Sequence, residues 1–138
     1  MLTACLHLLG YDIWFYLSHR LLHTRLGWHI HRIHHERPHP VWTDTYHGHW
    51  SESLLQSLGF CLPWGLGLWS PWETLAAAAV CQFRGLARHD LRSAWLIGNH
   101  HVLHHELGSF NYGEVWIDTL CGTLDPCPDR RIAGWIRV

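Results

Sequence analysis

The chain alternates between apolar runs and stretches crowded with histidine. Residues 1–18 are mostly apolar. With the turns after them, to Leu26, they predict a helix long enough to cross a bilayer, which takes about 20 residues. Its polar exceptions fall in order. Asp12, Tyr16, His19 and His23 are spaced four, three and four apart and form one stripe, which should face protein or water rather than lipid. His7 lies off that stripe and reads as a lone polar residue. Gly27 bends or breaks the helix, and Trp28 to Glu36 reads as a second, short one, ended by Pro38 and Pro40.

Residues 41–53 are polar and aromatic, suited to an interface. Residues 54–69, with Pro63 in the middle, and 72–83 are apolar but short. Together they predict a helical hairpin that dips into a membrane and returns; a buried hairpin in a soluble bundle is the alternative. A segment carrying His89 leads to residues 101–105, and Gly108 ends that helix. An Asn-Tyr-Gly turn at 111–113, a short helix with Trp116 and Asp118, and an irregular tail complete the chain. The expected fold class is all-α: membrane-embedded helices with a histidine-rich cytosolic helical cap, in one domain over residues 1–138.

Charge sets the orientation. All ten cations are arginine, against eleven acids. Arg20, Arg25, Arg32 and Arg37 precede the hairpin; Arg84, Arg88, Arg92, Arg130, Arg131 and Arg137 come after it. A hairpin that enters and leaves on one side puts all of them on that side, and the positive-inside rule makes it cytoplasmic. The near-neutral balance excludes the basic footprint of a nucleic-acid binder. The five cysteines form no Cys-x-x-Cys pair and read as small buried hydrophobes in a reducing compartment. No signal peptide or lipidation motif is visible.

Fifteen histidines are the anomaly. His31-x-x-His34-His35-Glu36 recurs as His101-x-x-His104-His105-Glu106, 70 residues on. Helical positions i, i+3 and i+4 share a face, so each copy would present three imidazoles together. His19 and His23 are one turn apart. Eight histidines ordered by spacing are too many for one tetrahedral zinc and suggest two metal ions. His29 falls on another face. His35-Glu36-Arg37-Pro38-His39 matches the zinc-protease pattern only formally, because Pro38 breaks the helical turn that motif needs.

Neutral imidazole suits Zn, Cu, Fe and Ni. Two ions with open positions fit either oxygen activation or metal-assisted hydrolysis. Apolar walls beside a membrane favour iron and O2, while a zinc-dependent membrane hydrolase is the rival. Asp12, Glu36, Glu106 and Asp118 are candidate carboxylates to accept the free ring N–H of a liganding histidine and fix its tautomer.

Asp12, Tyr16 and His19-Arg20-Leu21-Leu22-His23, then His31-x-x-His34-His35, then His101-x-x-His104-His105 with Asn111-Tyr112-Gly113, Asp118 and Gly122-Thr123, resemble the fatty acid hydroxylase/sterol desaturase superfamily over about residues 11–124. The resemblance implies an integral membrane, non-haem di-iron oxidoreductase that uses O2 to hydroxylate or desaturate a lipid. Its ligands would be His19, His23, His31, His34, His35, His101, His104 and His105, joined by His89. Some members carry a further histidine four residues before the position of His89; here it is Gly85. His49 and Glu52 resemble a His-Pro-x-Glu element with Trp50 in place of proline, and His49 reads as structural. The resemblance also implies two Fe ions, replaceable by Zn, and a separate electron donor: cytochrome b5, ferredoxin or a reductase. The setting would be the endoplasmic reticulum or a bacterial inner membrane. Members carry further membrane helices before the first box, whereas this chain begins 18 residues upstream of His19. It therefore reads as a minimal member or as one whose N-terminal helices lie outside it, the latter compatible with a metal-binding homologue without turnover.

Overall fold

A computed structural model describes residues 2–136, and Arg137 lies outside the described residues. Among the described residues every regular element is helical and no strand occurs. The first helix, α1 (Leu2–Leu22), is the axis of the molecule. Its buried positions include His7, Tyr16, Ser18 and His19, whereas Leu9, Ile13, Leu17 and Leu21 are exposed. The polar stripe therefore faces inward and the apolar stripe outward, the reverse of a water-soluble amphipathic helix. His7 is fully buried, its Nδ1–H donating to the Phe60 carbonyl at 2.9 Å and its Nε2 meeting the Thr74 hydroxyl at 2.8 Å.

The helix stops four residues short of the expected Leu26. The Thr24 hydroxyl donates to the Leu21 carbonyl at 2.7 Å, and the Thr24 carbonyl accepts from Gly27 N and Trp28 N. A Cβ at Gly27 would lie 2.4 Å from Leu22 Cα, so the chain can fold back this closely only at glycine. Among the described residues no helix is long and apolar enough to cross a membrane. In α1 the run of leucines is interrupted by His7, Asp12, Ser18 and His19.

The expected helix over 28–36 is two pieces: α2 (Trp28–His31) and a 3₁₀ turn at His34–Glu36. Then come a 3₁₀ turn at Trp42–Tyr46, α3 (Trp50–Ser57), a 3₁₀ turn at Leu58–Cys61 and α4 (Leu62–Gly65). The 58–61 turn packs on α1 at Gly59, where a Cβ would meet Tyr11 Cα at 2.8 Å. The long helix α5 (Pro71–Arg88) begins with proline in its first turn and runs past the expected end at Phe83. Its extra turn buries Arg84 and Arg88 against Glu114, Arg84 also reaching Asp12 at 2.6 Å.

After α6 (Ala94–Ile97) comes α7 (His100–Leu107), ended as expected by Gly108 in the left-handed region, φ 67°. Asn111 also has positive φ, 61°; its side chain donates to the His100 carbonyl and accepts from Asp125 N, fixing the turn before α8 (Val115–Cys121). The tail is irregular but tied down: Asn99 bonds the backbone of Arg130 and Ile132, and Trp135 N and Ile136 N donate to the carbonyls of Trp95 and Leu96.

Candidate metal centre

The C-terminal end of α1, the 28–36 segment, the end of α5 and α7 meet in one buried region, and their histidines sort into two groups. His19, His23, His31, His35 and His104 offer ring nitrogens within 4.8 Å of one another; so do His34, His89, His101 and His105. All nine histidines expected from the sequence are thus brought together, but not box by box. The outer pair of the first His-x-x-His-His box, His31 and His35, joins one group while His34 joins the other. In the second box the outer pair, His101 and His105, goes with His34, and His104 goes with His31 and His35. The first of these boxes is broken between α2 and the 3₁₀ turn at His34–Glu36, yet the same parting occurs on the continuous helix α7, so it follows from the direction each ring takes off the backbone and not from the break.

Backbone carbonyls fix the tautomers. A carbonyl only accepts, so a ring nitrogen bonded to one carries the proton and leaves the other nitrogen with a lone pair. His19 Nδ1–H donates to Tyr112 O at 2.5 Å, His104 to Phe110 O at 2.6 Å, His34 to His47 O at 2.8 Å and His89 to Gly85 O at 2.7 Å. The freed Nε2 atoms converge. His34 Nε2 and His89 Nε2 face each other at 3.1 Å with no proton between them. In the other group His19 Nε2 lies 3.0 Å from His31 Nε2, and His104 Nε2 lies 3.0 Å from His23 Nε2 and 3.1 Å from His35 Nε2. Both nitrogens of His105 are buried without a hydrogen-bond partner. The His34 and His89 lone pairs, held this close inside a protein, are repulsive on their own and are reconciled by a shared cation, and the Nε2 lone pairs of His19 and His104 are turned into the other group of converging rings. The residues present therefore fit two metal ions.

The rings stay available as ligands. Burial, and then the neighbouring rings, push His101 and His104 well below the usual imidazole value. Burial likewise takes His23 down to about 4 and both His35 and His89 to about 3.

The four carboxylates picked out by spacing do other work. Asp12 pairs with Arg84 at 2.6 Å; Glu36 meets His47 at 3.1 Å and Glu106 meets His39 at 3.2 Å, both near the surface. None of these three touches a clustered ring, which corrects their expected role. Asp118 touches none either, but it accepts from Tyr112 N and Gly113 N and so holds the turn whose carbonyl orients His19. The carboxylate that does reach a cluster is Glu52, whose Oε1 lies 3.0 Å from His31 Nδ1, though off the line of its N–H. Burial raises Glu52 to about 8, and a dication on His31 acts in the opposite direction. His49 caps α3, its Nδ1 accepting from Ser51 N.

Glu52→Gln keeps the shape and removes the charge. It is expected to weaken the metal held by His31 by about 10–100-fold. Competition against a chelator of known affinity measures this; unchanged affinity would show that Glu52 supports nothing.

A cavity of about 70 Å³ lies against both groups, lined among others by Phe15, Thr45, Glu52, Gly85, His31 and His89. A groove of about 290 Å³ shares Tyr11, Thr45, Gln56, Cys81 and Gly85 with it and opens toward Phe60 and Ala78 of the hairpin.

Comparison with known proteins agrees with this geometry. The chain is similar to methylsterol monooxygenase 1 of Rattus norvegicus, 30% identical over 128 residues, a match covering 81% of this chain and 43% of that protein. It thus spans less than half the length of that relative. No solved structure matches it. The sequence model of the fatty acid hydroxylase family matches residues 4–123, a span that takes in α1, the hairpin and every clustered histidine. The chain belongs to the fatty acid hydroxylase family.

Proposed function

We propose that this protein is an O2-dependent lipid hydroxylase or desaturase built on a histidine-ligated di-iron centre. The observation that carries the reading is the pair of imidazole groups whose ring nitrogens converge, with the lone pairs of His34 Nε2 and His89 Nε2 facing each other. His19, His23, His31, His35 and His104 would hold one iron; His34, His89, His101 and His105 the other, with zinc able to substitute at either. Once bound, the two ions supply the redox and Lewis-acid chemistry that O2-dependent C–H oxidation requires. Family membership and the similarity to a methylsterol monooxygenase support a lipid substrate.

The protein's own contribution is position and access. Carbonyls of Tyr112, Phe110, His47 and Gly85 lock the rings before metal arrives, so little reorganisation is needed. The inner cavity admits only a small molecule or one end of a chain, and the groove along the hairpin gives an apolar lipid tail a route to it.

The outward apolar residues of α1, with Trp50, Leu54, Leu62, Leu66 and Trp72 of the hairpin region, support an embedded or membrane-seated protein. Arg20, Arg25 and Arg32 support a histidine cap on the cytoplasmic side, in the endoplasmic reticulum or a bacterial inner membrane; Arg37, paired with Asp44, and Arg84 and Arg88, paired with Glu114, carry less weight in that argument. Electrons would come from a separate cytochrome b5, ferredoxin or reductase.

Lipid extracts from cells expressing the chain, compared by mass spectrometry with extracts from non-expressing cells, test the reading. A species heavier by one oxygen or lighter by two hydrogens, formed only in air, is expected. Turnover that persists without O2 on a zinc-loaded protein would replace it with a hydrolase.

A further inference from the structure

The two groups of histidines are built on one plan with one position missing. Each His-x-x-His-His box sends its outer pair, four residues apart, to one group and its inner ring to the other. The five-ring group adds a second pair four apart, His19 of α1 and His23 just past its end, whose N–H still bonds the His19 carbonyl. The four-ring group adds only His89, at the end of α5. Four residues before it, one turn back, stands Gly85. A Cβ there would meet a single neighbour within 4 Å, Thr45 Cγ2 at 3.3 Å. Beyond it is the cavity of about 70 Å³, which Gly85, Thr45 and His89 all line, room for about two waters. Thr45 keeps the opening in shape: its hydroxyl donates to the Gly85 carbonyl at 3.0 Å and lies 3.1 Å from His89 Nδ1.

We infer that the two metal sites are unequal, and that the four-histidine site, left open where Gly85 stands in for a ligand, is the one that takes a small exogenous anion from the cavity. The rings bring no charge, so a dication held by them alone keeps its full attraction for such an anion. The inference rests on the reading of both groups as metal sites.

Cobalt(II) is the probe, because its visible absorption strengthens as coordination number falls, and azide is the anion. The metal-stripped full chain should bind two cobalt ions in two phases. Loss of a mere supporting partner costs about 10–100-fold in affinity, so the phases should lie at least about tenfold apart. The weaker phase should carry the stronger absorption and should alone respond to azide. His23→Ala should weaken the tight phase and leave the weak one in place. Gly85→His should tighten the weak phase and suppress its azide response, each by about tenfold or more, while Gly85→Ala, which adds no donor, keeps the response. Should Gly85→His not fold, the wild-type titration decides alone. Azide acting on the tight phase, on both phases or on neither overturns the inference, as does an undiminished response in a two-cobalt Gly85→His protein. Fewer than two cobalt ions per wild-type chain would instead overturn the two-metal reading beneath it.

Discussion

Alanine at position 104 will take lipid oxidation to background and strip the five-histidine group of its metal. His104 is fully buried. Its Nε2 sits 3.0 Å from that of His23 and 3.1 Å from that of His35, and its Nδ1–H is spent on the Phe110 carbonyl at 2.6 Å. The substitution removes a donor atom from the middle of the group, leaves that carbonyl without its partner and opens a void. Loss of a partner that merely orients a ligand already costs about 10–100-fold in metal affinity; loss of the ligand itself costs more. Elemental analysis should show iron falling from two per chain to one or fewer, with no product in the lipid extract. His39→Ala is the control, since His39 lies at the surface against Glu106 and lines neither group. A His104→Ala protein that kept both irons and its activity would end the ligand assignment.

The second large effect is on stability. Asp118→Ala is expected to cost about 3–5 kcal/mol, since each buried donor left without its acceptor costs about 1–3 kcal/mol. The Asp118 side chain is wholly enclosed and accepts from Tyr112 N at 3.0 Å, Gly113 N at 2.8 Å, Thr123 Oγ1 at 2.6 Å and His100 Nε2 at 2.9 Å. Alanine leaves these donors unanswered. Denaturant unfolding of the purified protein reads the loss as a lower midpoint at similar slope. Because the same turn aims the Tyr112 carbonyl at His19, metal affinity should fall as well, although Asp118 touches no clustered ring. A variant with an unchanged midpoint would mean that the turn holds itself.

Periodicity foresaw the elements better than their partners. It located the polar stripe of α1, the turn after α7 at Gly108 and eight of the nine clustered histidines, because each of these is written in local spacing, whereas His89 is picked out by the family resemblance alone. It did not foresee that the outer rings of each box would part from the inner one. That outcome depends on which segments stand on either side of each box: the chain reversal at Thr24–Gly27 sets the 28–36 segment against α7, whose continuous helix splits its rings in the same way. The carboxylates show the same limit. Asp12 lies on the histidine stripe, yet Arg84, 72 residues away, captures it. Glu52 belongs to an incomplete His-Pro-x-Glu resemblance and meets His31 only because α3 packs against α2. Spacing along a helix defines a face; which segment arrives opposite that face is a tertiary matter.

The segment from Trp28 to Glu36 and α7 each give rings to both groups. Two ions seated there would act as rivets through the same pair of plates. With one rivet withdrawn the plates stay joined but can pivot, and the remaining ion sits in a joint whose angle is no longer set. With both withdrawn, only the carbonyl bonds to His19, His34, His89 and His104 and the packing around them keep the plates in register.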